Sequence, residues 1–155
     1  MNKFSQIFST LFFIGYIKWI PGTIGSLISL IIIIILNDFI NKNLFIVLFV
    51  VLSILSIIFI EKYSKYIKKN DAKEIIIDEF LGIYLIIIVT NDYNLFNDYI
   101  KFLLIFIFFR FFDIMKPFPA NWIDKNIKNA YGVILDDLIA GIYTIIILFF
   151  INAFN

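Results

Sequence analysis

Five apolar stretches, residues 25–40, 44–60, 75–90, 99–115 and 133–151, fill most of this 155-residue chain and leave only short polar turns between them. That pattern constrains the fold more than any other feature. A helix needs about 20 mostly apolar residues to cross a bilayer. In lipid every backbone N–H and C=O must be satisfied within the protein, which helices achieve and open strands do not. The chain is 62% hydrophobic and 16% charged, whereas soluble domains are about half apolar and a quarter charged. A soluble fold of this size has too little interior for so much apolar surface. The expected architecture is therefore all-α, a single membrane-embedded domain over residues 1–155. It is a polytopic membrane protein with about five transmembrane helices. The stretch before Pro21 carries Lys3 ahead of an apolar run, but Lys18, Trp19 and Pro21 interrupt it and no small-residue cleavage site follows. It reads as an N-terminal interfacial helix or a short re-entrant segment. Trp19 and Trp122 have the character of interfacial anchors.

The turns divide the charge unequally. If the stretches cross in alternation, eleven of the 13 Lys and Arg fall on the side that holds Pro21, and only Lys42 and Lys101 fall on the other. Lys and Arg favour cytoplasmic loops, so the Pro21 side is expected to face the cytoplasm. The net charge of +1 and the lack of a basic block speak against a nucleic acid partner. The chain has no Cys and no His. Disulfides, thiol nucleophiles, thiolate metal sites and imidazole bases are thereby excluded. Any chemistry rests on carboxylates, Lys, Arg, hydroxyls and backbone.

The unusual polar groups all fall on the same, cytoplasmic side. Pro21-Gly22-Thr23-Ile24-Gly25-Ser26 opens the first stretch, Asp78-Glu79 the third and Asp136-Asp137 the fifth, while Arg110, Asp113 and Lys116 close the fourth. An ionised carboxylate near hydrocarbon is costly unless it is paired or metal-bound. Adjacent acids add mutual repulsion. A hard divalent cation relieves both problems, and Mg²⁺ takes oxygen ligands together with substrate phosphates. The plainer reading is that acids at helix starts answer the helix dipole. Arg110, Asp113 and Lys116 share roughly one helical face by their spacing of three. They read either as an Arg110–Asp113 pair or as a metal ligand, Asp113, flanked by phosphate-binding Arg110 and Lys116. Thr23 and Ser26 read as caps or as part of a phosphate-binding turn. Gly82, Ala140 and Gly141 lie about one turn past the acids and suit close helix packing in lipid. Such packing would draw the acidic helix starts together. The Asp78-Glu79…Gly82 and Asp136-Asp137…Gly141 segments also show a weak internal similarity.

In their order and spacing, four segments resemble the phosphatidylglycerophosphatase A family. They are Pro21 to Ser26; Asp71 to Glu79 with Gly82; Phe109 to Pro119 with Asp124; and Gly132 to Asp137 with Ala140-Gly141. The resemblance spans nearly the whole chain. It implies a Mg²⁺-dependent phosphomonoesterase of the bacterial cytoplasmic membrane, multi-pass, with its active site facing the cytoplasm. The substrate it implies is a phospholipid, phosphatidylglycerophosphate, converted to the phosphatidylglycerol that also feeds cardiolipin synthesis. Asp78, Glu79, Asp113, Asp136 and Asp137 would supply catalysis and, as a subset, metal ligands. Thr23, Ser26, Arg110 and Lys116 would bind substrate phosphate. Two alternatives stand beside this one. A CDP-alcohol phosphotransferase also clusters Asp on membrane helices, but its spaced Asp-Gly and Ala-Arg signature is absent here. A divalent-cation transporter would carry polar groups at mid-membrane or on both faces.

Overall fold

A computed structural model describes residues 3–17, 19–69, 72–92 and 97–154, so Lys18 and Asp71 lie outside the described residues. The helices are α1 (Lys3–Ser9), α2 (Pro21–Phe39), α3 (Lys42–Ile67), α4 (Ile77–Thr90), α5 (Asp98–Met115), α6 (Ala120–Asn126) and α7 (Ala130–Phe154), with a 3-10 turn at Ile14–Tyr16. No strand occurs among the described residues.

The helix ends follow local chemistry. Pro21 occupies the first turn of α2, where its missing N–H costs nothing. Asn41 and Asn97 cap α3 and α5 by accepting hydrogen bonds from Leu44 N–H (3.0 Å) and Ile100 N–H (2.9 Å). Asn129 does the same for α7, accepting from Tyr131 N–H and Gly132 N–H. Helix α3 runs past its apolar stretch to Ile67, and its last turns carry an i,i+4 pair between Glu61 and Lys65.

Among the described residues, three helices, α2, α3 and α7, are long and apolar enough to cross a membrane. The other two expected crossings look different. Helix α4 has 14 residues, about 21 Å at 1.5 Å per residue. Helix α5 has 18 residues but includes Asp98, Lys101, Arg110 and Asp113. For α4 the reason lies in packing. Helix α4 is the hub of the bundle, set against α2, α3, α5 and α7, and ten of its residues are buried. Tyr84 anchors it, ringed by Phe45, Phe49 and Phe80, with its hydroxyl donating to the Phe45 carbonyl at 3.0 Å. A helix walled in by others meets little lipid and need not match its thickness. Helix α3, by contrast, turns most of its length outward, with Val47, Val50, Val51, Ile54 and Ile58 exposed.

The N-terminal segment does not stand apart. Phe4 and Phe8 pack on Phe59 of α3. Gln6 donates to the Tyr16 hydroxyl (2.7 Å), which pairs with the Tyr63 hydroxyl (2.7 Å), and Tyr63 donates to Glu74 Oε1 (3.3 Å). Ile76 N–H donates to the Ser9 carbonyl. The segment thus fastens the loop that leads into α4. Its outer surface exposes Phe12, Trp19 and Ile20, the kind of apolar face an interfacial element presents.

Helices α4 and α7 cross at their glycines. A Cβ on Gly141 would lie 2.9 Å from the Gly82 carbonyl oxygen, and one on Gly82 would lie 2.6 Å from Phe109 and 2.9 Å from the Asp137 carbonyl oxygen. These obstacles include backbone, which cannot swing aside. Around Gly25 the nearest atoms are side chains of Ile76 and Glu79, at 3.1 to 3.2 Å. Gly141→Ala and Gly82→Ala should each cost roughly 1–3 kcal/mol, and Gly25→Ala less. Thermal unfolding in detergent checks this ranking. Wild-type stability for Gly141→Ala would contradict the close crossing.

Candidate active site

The Gly82–Gly141 crossing lies one turn beyond the acids of both helices, so it holds the starts of α4 and α7 side by side. Between them opens a cavity of about 220 Å³. Its wall is assembled from every segment that the charge pattern singles out. Pro21 and Gly22 come from the start of α2, Ala72, Lys73 and Ile75 from the loop before α4, and Asp78 and Glu79 from α4 itself. Asp113 and Lys116 come from the end of α5, Asp124 from α6, Ile127 and Lys128 from the turn after it, and Gly132, Val133, Asp136 and Asp137 from α7.

The charges divide into paired and unpaired sets. Arg110 forms an ion pair with Asp113, approaches Glu79 Oε1 at 3.5 Å, and donates to Ser26 Oγ at 3.3 Å. Its side chain is only 14% exposed. Gly22 packs over this group, since a Cβ there would lie 2.6 Å from Glu79 Oε1 and 3.1 Å from Arg110 Nη1. A side chain at that position would displace the pair. Lys116 reaches Asp136 at 2.5 Å and Asp124 at 3.1 Å. Burial works against its positive charge, but the hydrogen bonds and charges of Asp136 and Asp124 outweigh it and hold its pKa above the ordinary lysine value. Asp78 Oδ1 and Glu79 Oε2 are buried with no hydrogen-bond partner among the described residues. Asp137, 4% exposed, has no ion pair among them and lies within electrostatic reach of Asp113, Asp78, Asp136 and Glu79.

All five predicted acids therefore meet at one cavity, together with Lys116. Arg110, Thr23 and Ser26 are not in its wall. Arg110 stands behind it, held by Asp113, Glu79 and Ser26, while Ser26 also donates to the Gly22 carbonyl at 2.7 Å. The plain Arg110–Asp113 pair is thus present. The face predicted for Arg110, Asp113 and Lys116 breaks at its last member. Lys116 ends α5 in the left-handed conformation, with φ of 41°, and its side chain turns toward α6 and α7. Asp124, Lys73 and Lys128 are additions that spacing alone did not single out. Asp124 lies within the motif-bearing stretch, but only the fold-back of α6 brings it to Lys116.

An all-oxygen donor set with two orphaned buried carboxylate oxygens suits a hard cation. Among the described residues, no three acids form a ready-made metal cage. Mg²⁺ does not require one, since it is usually held by one or two carboxylates with waters and substrate phosphates. The opposite end of the bundle differs. There Lys42 pairs with Asp92 at 2.7 Å, and a separate cavity of about 170 Å³ is lined by Asn37, Asp38, Asn91, Asp98 and Lys101.

Comparison with known proteins points to one family. Phosphatidylglycerophosphatase A of Haemophilus influenzae is 31% identical over 138 residues, covering 89% of this chain and 82% of its own. The Escherichia coli protein of the same name is 29% identical over 133 residues, covering 86% and 74%. A Bacteroides thetaiotaomicron protein named provisionally as a phosphatidylinositol-3-phosphatase is 30% identical over 79 residues, covering 51% and 48%. No solved structure matches the chain. The family model described as phosphatidylglycerophosphatase A matches residues 7–152, and the chain belongs to that family of phosphatases.

Proposed function

We propose that this protein hydrolyses the terminal phosphate of phosphatidylglycerophosphate, releasing phosphatidylglycerol and inorganic phosphate. In this reading it is a Mg²⁺-dependent enzyme of the bacterial inner membrane with its site toward the cytoplasm. The observation that carries the reading is the cavity itself. Acids and cations from four separate segments converge at one end of a bundle that holds three membrane-length helices, in a chain of this family. A lipid phosphate sits at such an interface while its acyl chains stay among the helices. The excess of Lys and Arg on the same side supports the cytoplasmic orientation. The reading counts α4, shielded by its neighbours, and α5, which exposes Leu103, Ile107 and Phe111, as crossings too, which gives five.

The paired and unpaired charges suggest a division of labour. Asp78 and Asp137 lack a cation among the described residues and would hold Mg²⁺, with Glu79, Asp113 and Asp136 close by. When bound, the ion would neutralise phosphoryl oxygens and orient or acidify water. Lys116, fixed between Asp136 and Asp124, keeps a positive charge in the cavity wall and can offset charge on the transferring phosphoryl group. Arg110 holds Glu79 and Asp113 in place from behind. A carboxylate of the set takes the proton of an attacking water or attacks phosphorus directly. Either route breaks the bond between phosphorus and the glycerol oxygen. In the first the carboxylate passes the water's proton to that oxygen, which leaves as a hydroxyl. In the second the oxygen takes a proton from water, and a second water hydrolyses the acyl phosphate, releasing inorganic phosphate and restoring the carboxylate.

The names of the relatives bear on substrate class. Phosphatidylglycerophosphate and a phosphatidylinositol 3-phosphate share one chemical plan, a lipid phosphodiester joined through a polyol to a phosphomonoester.

Two tests follow. Purified protein in detergent should release phosphate from phosphatidylglycerophosphate with Mg²⁺ and stop in EDTA. Asp137→Asn should lose activity on the order of 100-fold or more. Folded wild type that releases none with any divalent metal would sink the reading, and CMP release from a CDP-lipid would point to a transferase. Arg110→Ala, which strands two buried carboxylates, should destabilise the protein by roughly 3–5 kcal/mol. An unchanged midpoint in thermal unfolding would show that Arg110 does not hold them.

A further inference from the structure

Three lysines line the cavity, and they are not equivalent. Lys116 is committed to Asp136 and Asp124. Lys73 and Lys128 have no ion pair among the described residues and extend into solvent at the rim. Their backbones are nonetheless fixed. Lys73 lies in a turn closed by Ile75 N–H to the Ala72 carbonyl at 2.8 Å, and that loop is fastened by Ile76 N–H to Ser9 at 3.1 Å. Lys128 follows Ile127, whose N–H donates to the Ile123 carbonyl at 2.8 Å. The Ile127 carbonyl is pressed against Gly132, where a Cβ would overlap it. Two free cations thus stand at set positions on the edge of a cavity whose other charges are six acids, Asp78, Glu79, Asp113, Asp124, Asp136 and Asp137, and the spoken-for Lys116.

This edge solves an electrostatic problem. A head group with two phosphates brings at least two negative charges to an acid-rich cavity. Lys116 and a bound divalent ion can serve the phosphate that reacts. The second phosphate needs compensation farther out, toward the lipid. A lysine ammonium on a flexible stem is a point-charge phosphate contact that tolerates some variation in distance.

We infer that Lys73 and Lys128 form a second anion subsite, which binds the phosphodiester of the substrate while the terminal phosphomonoester enters the acid-lined cavity. The inference rests on the phosphatase reading and deepens it. The enzyme selects lipids that carry a phosphodiester and a terminal phosphomonoester on one head group. A lipid with the monoester alone, such as phosphatidic acid, leaves the rim unfilled.

The test compares phosphatidylglycerophosphate with phosphatidic acid of the same acyl chains, in neutral detergent micelles with Mg²⁺. Wild type, a Lys73→Ala/Lys128→Ala double variant, and Lys69→Ala are measured side by side. Lys69 is exposed on the same side but outside the cavity, so its variant reports general surface charge. Wild type should prefer phosphatidylglycerophosphate. The double variant should raise its KM roughly tenfold or more, leave kcat within about twofold, and leave phosphatidic acid kinetics unchanged. The preference then collapses through KM alone. A proportional loss on both substrates, the same KM change in Lys69→Ala, or wild type without a preference overturns the subsite. If wild type hydrolyses phosphatidylglycerophosphate and the double variant keeps its selectivity, only this inference falls. If wild type hydrolyses neither lipid, the phosphatase reading falls and takes the subsite with it.

Discussion

Helix α4 meets α7 with Gly82 against Gly141, and the site depends on that close approach. In lipid there is no hydrophobic drive between helices, because acyl chains are as apolar as leucine. Association relies on tight van der Waals contact, which small residues permit. The crossing lies about one turn past Asp78-Glu79 on one helix and Asp136-Asp137 on the other. Fixing it fixes the distance between two acidic pairs that would otherwise repel. Phe109 of α5 closes against Gly82 as well, so the helix that carries Arg110 and Asp113 is set by the same contact.

Bringing so many carboxylates together creates a debt of charge that the protein settles only in part. Arg110 neutralises Asp113 and Glu79 from behind the cavity, and Lys116 neutralises Asp136 and Asp124 from its wall. Asp78 and Asp137 are left without a cation among the described residues. Breaking a buried pair is far costlier than replacing it whole, since the partner is stranded in a medium of low polarity. The paired charges therefore serve as a rigid frame around the unpaired ones, which are the acids that the proposed Mg²⁺ site would use. Gly22 matters for a related reason. Its missing side chain lets the start of α2 cover the Arg110–Glu79 contact and keep water from it.

The membrane character and the end of the bundle at which the acids gather were legible in the sequence. The runs of Ile, Leu and Phe gave helices near the expected limits, except that α3 runs on to Ile67, and the acids beside Gly82 and Gly141 fell where small residues let helices approach. The expectation that these glycines draw the acidic starts together is what the structure shows. Other features were not legible. That α4 is a short buried hub reflects how many helices surround it, and its composition resembles that of a lipid-facing span. The departure of Lys116 from the α5 face depends on one left-handed residue at the helix end. Asp124 joins Lys116 only because α6 folds back, and Lys73 and Lys128 reach the rim only through the paths of two loops.

By itself, the sequence determined the solvent and the kinds of side chain on hand. Apolar runs separated by short turns point to helices in a bilayer, the lack of His and Cys leaves carboxylates, hydroxyls, Lys and Arg as the reactive groups, and the Lys and Arg gather at one end of the runs. Only the tertiary structure decided which charge meets which. Ion pairing and exposure depend on distances of a few ångströms between segments far apart in the chain, and those distances are set by helix crossings and loop paths. Hydrophobic periodicity carries no record of them. That is why Arg110 stands behind the cavity and Lys116 in its wall, although the two lie only six residues apart in one short stretch.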